Sequence, residues 1–465
     1  MSGGSIGSPI EVHDGPLRGL SPERLAGWLL PLVFVLVFVL VAFVPGVSSG
    51  TDTVDLADLG VLAVTILALV RVRRDGVEAL RGSMWLWGVS LALLLYVAAA
   101  SLYPTISDPD YAWKTHLATA VKFAEYFVLA PVTAVLLRDR VSIGRFYAVV
   151  AGFTAAAAAV AVLQLCGVHI FRAWPAGERQ PSFTGVANLG TLGAAALAVA
   201  FLGVLWPSSV TRRVTALLLV SGLVAVVISA EIAAGLGLGG VLLVSLFVVH
   251  KRRGLEPRRV LLVCGVTAIC ALGLLVMRAG DFSQFARSFG IMKAQKATTE
   301  NIQTYAQRTM MLYIGLRIFE AHPIFGAGWQ SVREYRVYAP FLAAAHRRFP
   351  NESPQSFPSP QNRWGVDNAY VESLAELGLV GTAFFLAFLG ITLGLGLRGS
   401  LRAPPPAAQL ALAGLLWMIV TMGIWAGEGF DPGSGFAALA FFAIGLIAAA
   451  RALPPGPAEA EAAAA

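Results

Sequence analysis

Residues 213–250 read RVTALLLVSGLVAVVISAEIAAGLGLGGVLLVSLFVVH, with a single acidic group, Glu231, in the interior. At about 1.5 Å per residue, one helix of this length would run far past a hydrocarbon core of about 30 Å. The stretch therefore predicts two spans, 213–229 and 233–250, joined by a turn at Ser229–Ile232. Comparable runs of about 17–25 apolar residues lie near 25–45, 57–72, 84–103, 114–137, 145–168, 188–206, 259–278, 368–397, 407–425 and 435–451. The pattern predicts an all-α integral membrane protein with about twelve transmembrane helices.

Composition agrees. The chain is 57% hydrophobic and 13% charged, with a mean hydropathy of +0.72, whereas soluble domains average about 25% charge. This excludes soluble multi-domain classes. A net charge of +7 does not point to nucleic acid, because the positive residues concentrate in short connections between apolar runs. Cys166, Cys264 and Cys270 all sit inside apolar runs and form no CxxC pattern, so they read as packing residues with no metal or redox site. The first run follows about 24 largely polar residues and is long enough to span, which predicts a retained helix rather than a cleaved signal.

Lys and Arg set the orientation. With the N-terminus inside, cytoplasmic segments collect 19 of the 34 Lys+Arg, among them Arg71, Arg73, Arg74, Arg81, Arg138, Arg140 and Arg145. Lys251, Arg252, Arg253, Arg258 and Arg259 add to that side. The short outer connections hold only Lys114, Arg172 and Arg179. The expected organisation is a cytoplasmic segment 1–24, nine helices over 25–278, a large extracytoplasmic loop 279–366, three helices over 367–451, and a disordered cytoplasmic tail 452–465. Both termini are then cytoplasmic.

The 279–366 loop carries ten Lys+Arg against five Asp+Glu. An anionic ligand and contact with anionic lipid head groups account for this equally well. Within the loop, Ile302, Tyr305, Thr309, Leu312, Leu316 and Phe319 recur at spacings of three and four, the apolar face of an amphipathic helix. Thr298 and Thr299 are candidate caps, and the His322–Pro323 step should end the helix. Pro350–Pro360 reads as irregular chain. The small residues of Ala233–Gly240 allow close helix contact, within the chain or between protomers.

Two segments flank this loop with a recognisable pattern. Arg308 precedes Ile318-Phe-Glu-Ala-His-Pro-Ile-Phe-Gly-Ala-Gly-Trp329, and Asp367-Asn-Ala-Tyr-Val-Glu-Ser-Leu-Ala-Glu-Leu-Gly-Leu-Val-Gly381 enters the tenth run. A third segment, Arg179-Gln-Pro-Ser-Phe-Thr-Gly-Val-Ala-Asn188, leads into the sixth. In order, spacing and topology the chain resembles the O-antigen ligase/polymerase family. The resemblance implies a bacterial inner-membrane glycosyltransferase of surface-polysaccharide biosynthesis in the cell envelope. Such an enzyme takes a glycan from a polyprenyl (undecaprenyl) diphosphate carrier and transfers it to a glycan or lipid acceptor, without metal, cofactor or nucleotide sugar. It implies the bilayer and other polysaccharide-assembly proteins as partners. The ligase branch usually has His before the Asn of the closing motif, where this chain has Asp367. That branch also tends to show Ser-Arg where this chain reads Ser229-Ala-Glu231. Both departures count against ligation onto lipid A, and the Asp-Asn start resembles the polymerase-like members better.

Displacing a diphosphate from an anomeric carbon requires stabilisation of the leaving charge and a base for the attacking hydroxyl. Arg308 and Arg179 are the candidate phosphate-binding cations, with Arg287 and Arg333 behind them. Asp367 is the candidate base, although an Asp before a helix also reads as a cap, and Asn368 either caps or binds sugar. Lys122 either pairs with Glu125 at i,i+3 or meets the diphosphate from within the fourth span. Glu372 and Glu376 lie one turn apart on the tenth span, and ionisable groups at that depth face a cavity or each other. Gly326 and Gly328 permit close backbone approach. His346 is a weaker alternative to the missing motif histidine. A convergence of Arg308, Arg179 and Asp367 at a cavity mouth is expected. A transporter or flippase and a non-catalytic scaffold are the competing classes; no internal repeat supports the former, and the motif departures keep the latter open.

Overall fold

The computed structural model describes residues 22–39, 56–171, 173–207, 210–280, 304–350, 352, 354–361 and 363–453. Among these residues all regular structure is helical. The helices are α1 (Pro22–Val39), α2 (Leu56–Asp75), α3 (Glu78–Arg81), α4 (Met84–Ala100), α5 (Trp113–Phe127), α6 (Leu129–Leu136), α7 (Arg140–Leu165) and α8 (Val186–Leu205). They continue as α9 (Arg212–Ser229), α10 (Ile232–Arg253), α11 (Pro257–Met277), α12 (Thr304–Ala321), α13 (Tyr335–Arg348), α14 (Ala369–Arg402), α15 (Pro405–Trp425) and α16 (Gly435–Ala452).

Ten helical segments among the described residues are long and apolar enough to cross a membrane, against the twelve expected. The two remaining expected runs fall on α1 and α2. In α1 the apolar helix spans Gly27–Val39, and α2 carries Asp58, Arg71, Arg73, Arg74 and Asp75. The turn that splits 213–250 is present: Ala230 is left-handed at φ 47°, and the Glu231 carboxylate accepts from the Ala233 N–H that opens α10.

Burial separates pillars from periphery. In the apolar stretches of α8 and α16, 94% and 89% of residues are buried, against 22% in α11. A helix apolar all round is either at the centre of a bundle or in lipid, and here both kinds occur. Lipid tails give no hydrophobic reason for helices to associate, so close approach through small residues does the work. A Cβ on Gly193 of α8 would lie 2.9 Å from the Val226 backbone nitrogen of α9. One on Gly423 of α15 would lie 2.5 Å from the Gly237 Cα of α10. Gly237, from the small-residue run, is thus used within the chain. An aromatic cluster of Phe34, Phe146, Trp417 and Phe442 joins α1, α7, α15 and α16, and Trp417 Nε1 donates to the Ala195 carbonyl of α8 at 3.0 Å.

The loop helix is found as α12 and stops at Ala321, before the His322–Pro323 step. Its buried face differs from the expected one. Met310, Met311, Ile314 and Ile318 are buried, whereas Thr309 and Leu316 are exposed. Apolar residues occur on more than one side of this helix, and both stripes satisfy the three-and-four spacing, so periodicity alone did not choose between them. Thr298 and Thr299 lie outside the described residues. Among the described residues of Pro350–Pro360 there is one 3₁₀ turn, Pro354–Ser356.

The element that positions the site is a break in α14. Gly378 has φ 63°, which interrupts the helix. An unbroken helix would bond the N–H groups of 379 and 380 to the carbonyls of 375 and 376. Here Leu379 and Val380 donate instead to Pro323 and Ile324, at 2.9 and 3.1 Å. The freed carbonyls of Ala375 and Glu376 accept from Ala327 and Gly328, at 2.8 and 3.0 Å. The His-Pro-x-x-Gly-x-Gly segment is therefore inserted into the hydrogen-bond ladder of α14 and satisfies all four backbone groups that the break exposes. Such groups are costly at membrane depth. Tyr96 and Tyr103 close the junction by donating to the Leu377 and Gly326 carbonyls.

Candidate active site

The break holds the first turns of α14 against α12 and the connection between α15 and α16. Asn368 is the N-cap: its Oδ1 accepts from Val371 N–H at 3.0 Å, and its Nδ2 donates to the Ala426 carbonyl at 2.9 Å. Capping therefore falls to Asn368 and leaves the Asp367 side chain available. Ala369 N–H donates to the Glu428 carbonyl at 3.0 Å, which fixes the 426–431 loop beside Asp367.

Arg308 reaches this point from α12. Its Nε is 3.4 Å from Asp367 Oδ2, and its Nη2 is 3.1 Å from Glu428 Oε1. Arg308 and Asp367, proposed from sequence as cation and base, thus meet. Glu428 completes the group and was missed; the available signal was an acidic pair, Glu428 and Asp431, in a glycine-rich connection.

Behind them, Glu372 and Glu376 are fully buried on α14. The Glu372 carboxylate accepts from Phe430 N–H and lies 3.4 Å from Gln330 Nε2. Neither Glu376 oxygen has a hydrogen-bond partner among the described residues. Arg333 stands over this pair: its Nε is buried without a hydrogen bond, and among the described residues it makes no ion pair within 4 Å. Burial works against its charge, but Glu372, Asp431, Glu376 and Asp367 together hold its pKa above the ordinary value.

Carboxyl groups outnumber guanidinia here, and burial eases the imbalance. It raises Asp367 above the usual carboxylate range despite the pull of Arg308 and Arg333. It raises Asp431 against Arg333. Glu428 is pushed up to about 8 by burial, with Glu231 and Asp367 adding to the shift and Arg308 opposing it. Removing a charge from water favours the protonated acid.

The remaining candidates are used differently. Arg179 stacks over Trp174 at 4.5 Å, in a loop that Gln180 ties to Ile228 of α9. Arg287 lies outside the described residues. Lys122 bonds to Asp58 of α2 and lies 3.8 Å from Glu125, so the i,i+3 pairing is present and Asp58 is a further partner. Gly326 and Gly328, at φ 77° and 110°, serve the break itself: a Cβ on Gly326 would lie 2.5 Å from the Leu377 nitrogen, and one on Gly328 2.7 Å from Tyr111 Oη. His346 stacks on Phe357 at 3.8 Å. Among the described residues no three His, Cys, Asp or Glu are grouped to hold a metal ion.

Residues 216–386, from α9 through Arg308, the inserted loop and the broken helix, match the family model described as O-antigen ligase. Over this segment the chain is similar to the O-antigen ligase family. No curated protein matches the chain. That family is one of glycosyl transfer. The matched segment contains Arg308, Arg333, Asp367, Glu372 and Glu376, while Glu428 and Asp431 come from beyond it. The closing motif's Glu376 and Gly378 and the opening motif's Gly326 and Gly328 meet at the break, a physical reason for the two motifs to occur together.

Proposed function

We propose that this protein transfers a glycan from a polyprenyl-diphosphate carrier to a growing surface polysaccharide at the outer face of a bacterial inner membrane. Both termini and the 1–24 and 452–465 segments are cytoplasmic, and the 279–366 loop is extracytoplasmic, its described part carrying Arg308 and Arg333 on the outer side. The observation that carries the reading is the meeting of Arg308 and Asp367 beside Arg333, a guanidinium with no ion pair among the described residues.

The chemistry follows from those groups. The acceptor hydroxyl oxygen attacks the anomeric carbon, its proton passes to the Asp367 carboxylate, and the bond to the diphosphate oxygen breaks with its electrons. Arg308 and Arg333 stabilise the charge that builds on the departing diphosphate, a role suited to the planar guanidinium. An Asp with a raised pKa is a stronger base than an exposed one. Asp in place of the ligase histidine favours chain extension. Transfer to a lipid or protein acceptor is the second reading, supported by the family description.

The test is transfer by the purified protein from polyprenyl-diphosphate oligosaccharide without added metal. Lengthening of carrier-bound chains, lost in Arg308→Ala and Asp367→Asn proteins that still fold, is expected. Transfer only to an added lipid or protein acceptor would replace polymerase with ligase. Undiminished chain growth in both variants would overturn the site.

A further inference from the structure

The helices that hold the site at one end converge on a second polar feature at the other. α8, α10 and α14 run away from the site and α15 returns to it, so their far ends stand at least about 30 Å from Asp367 at about 1.5 Å per residue. Between those ends lies a cavity of about 370 Å³, lined by Trp206, Arg252, Arg253 and Pro405. Trp206 is buried. The guanidinia of Arg252 and Arg253 both face its ring, 5.8 and 5.7 Å from the centroid.

Arg252 is not free to swing away. Its Nη1 and Nη2 donate to the Leu401 and Ala403 carbonyls at the end of α14, at 2.9 and 2.8 Å. Among the described residues neither arginine has a carboxylate partner, and the nearby Glu256 pairs with Arg259 at 2.7 Å. Two like charges held over one indole repel one another, and an anion between them reverses the sign of that interaction. A guanidinium pair suits a phosphate oxygen set. Phe247 of α10 and Leu397 of α14, one to two turns before the cavity, are exposed apolar residues along which an acyl chain can lie.

We infer that this cavity binds the phosphate of an anionic membrane phospholipid, with Arg253 and Arg252 on the head group and the tails along α10 and α14. Basic pockets between helix ends on the cytoplasmic side are suited to such head groups. The inference is independent of the glycan-transfer reading.

The experiment is native mass spectrometry of the full-length protein in neutral detergent, titrated with phosphatidylglycerol, phosphatidylcholine or inorganic phosphate. Phosphatidylglycerol should be retained about tenfold better than phosphatidylcholine, equivalent to about 1.4 kcal/mol. Arg253→Gln, which leaves the Arg252 brace in place, should remove that preference, and Arg258→Gln should keep it. Equal retention of the two lipids, or an unchanged preference in Arg253→Gln, would overturn the site. Full displacement of the lipid by equimolar inorganic phosphate would overturn the lipid as its source.

Discussion

Gly326 and Gly378 lie back to back, and a Cβ on Gly378 would come within 2.5 Å of the Gly326 backbone nitrogen. Both have positive φ, so a side chain at either would be strained even with space around it. Alanine at Gly378 should cost at least about 1–3 kcal/mol from conformation alone, plus the steric conflict with the inserted loop. Gly390, on the same helix with nothing within 4 Å of a would-be Cβ, should accept alanine with little change. Thermal unfolding in detergent compares the two, and equal stability of the variants would contradict the inserted-loop arrangement.

The site should respond to pH in two ways. As the proposed base Asp367 must be ionised, and burial raises its pKa, so the rate should climb with pH and reach half-maximum above the ordinary Asp value of about 3.9. Asp367→Glu should move that midpoint, whereas a fixed midpoint would assign the titration elsewhere. Glu428, at about 8 in the folded protein against about 4.3 unfolded, keeps its proton on folding across that interval. The folded state then binds more protons, and wild-type stability falls as pH rises towards 8. Glu428→Gln lacks this loss, so its melting temperature should gain on wild type between pH 5 and pH 8. A constant or opposite difference would rule out the shift.

A latch joins α13 to the bundle. Arg336 bridges Asp108 and Glu334, both at 2.7 Å, and the Glu334 carboxylate accepts from buried His116 Nε2 at 2.6 Å. Burial works against the Glu334 charge, but His116 and Arg336 hold its pKa below the usual carboxylate value. That contribution is present above the unfolded pKa and is lost only as pH falls through the lower folded one. Arg336→Ala should speed amide exchange in 335–348 by about five- to thirtyfold, from about 1–2 kcal/mol of charge-assisted bonding. Unchanged exchange there would mean that the hydrophobic contacts of α13 suffice.

Lys122 separates a structural role from a substrate role. Removing it breaks the buried Lys122–Asp58 ion pair, and breaking such a pair costs about 3–5 kcal/mol. Lys122→Met alone should lower stability sharply, and adding Asp58→Asn should restore most of it. If the double variant folds but transfers no glycan, Lys122 touches substrate after all; retained transfer confines it to the ion pair.

The membrane fold was legible in the sequence, because length and apolarity decide whether a helix can cross lipid whatever surrounds it. The split at Ser229–Ile232 and the end of α12 at the His-Pro step were legible for the same local reason. Arg308 and Asp367 were accessible through motifs that bracket the loop. Only the tertiary structure decided which stripe of α12 is buried, that Asn368 rather than Asp367 caps α14, and that Glu428 joins from a distant connection. It also showed why glycines stand at 326, 328 and 378: four backbone groups freed at one break are bonded instead by a loop some fifty residues away. Periodicity and spacing describe a segment's own geometry, whereas these choices depend on which other segment supplies the partner atoms.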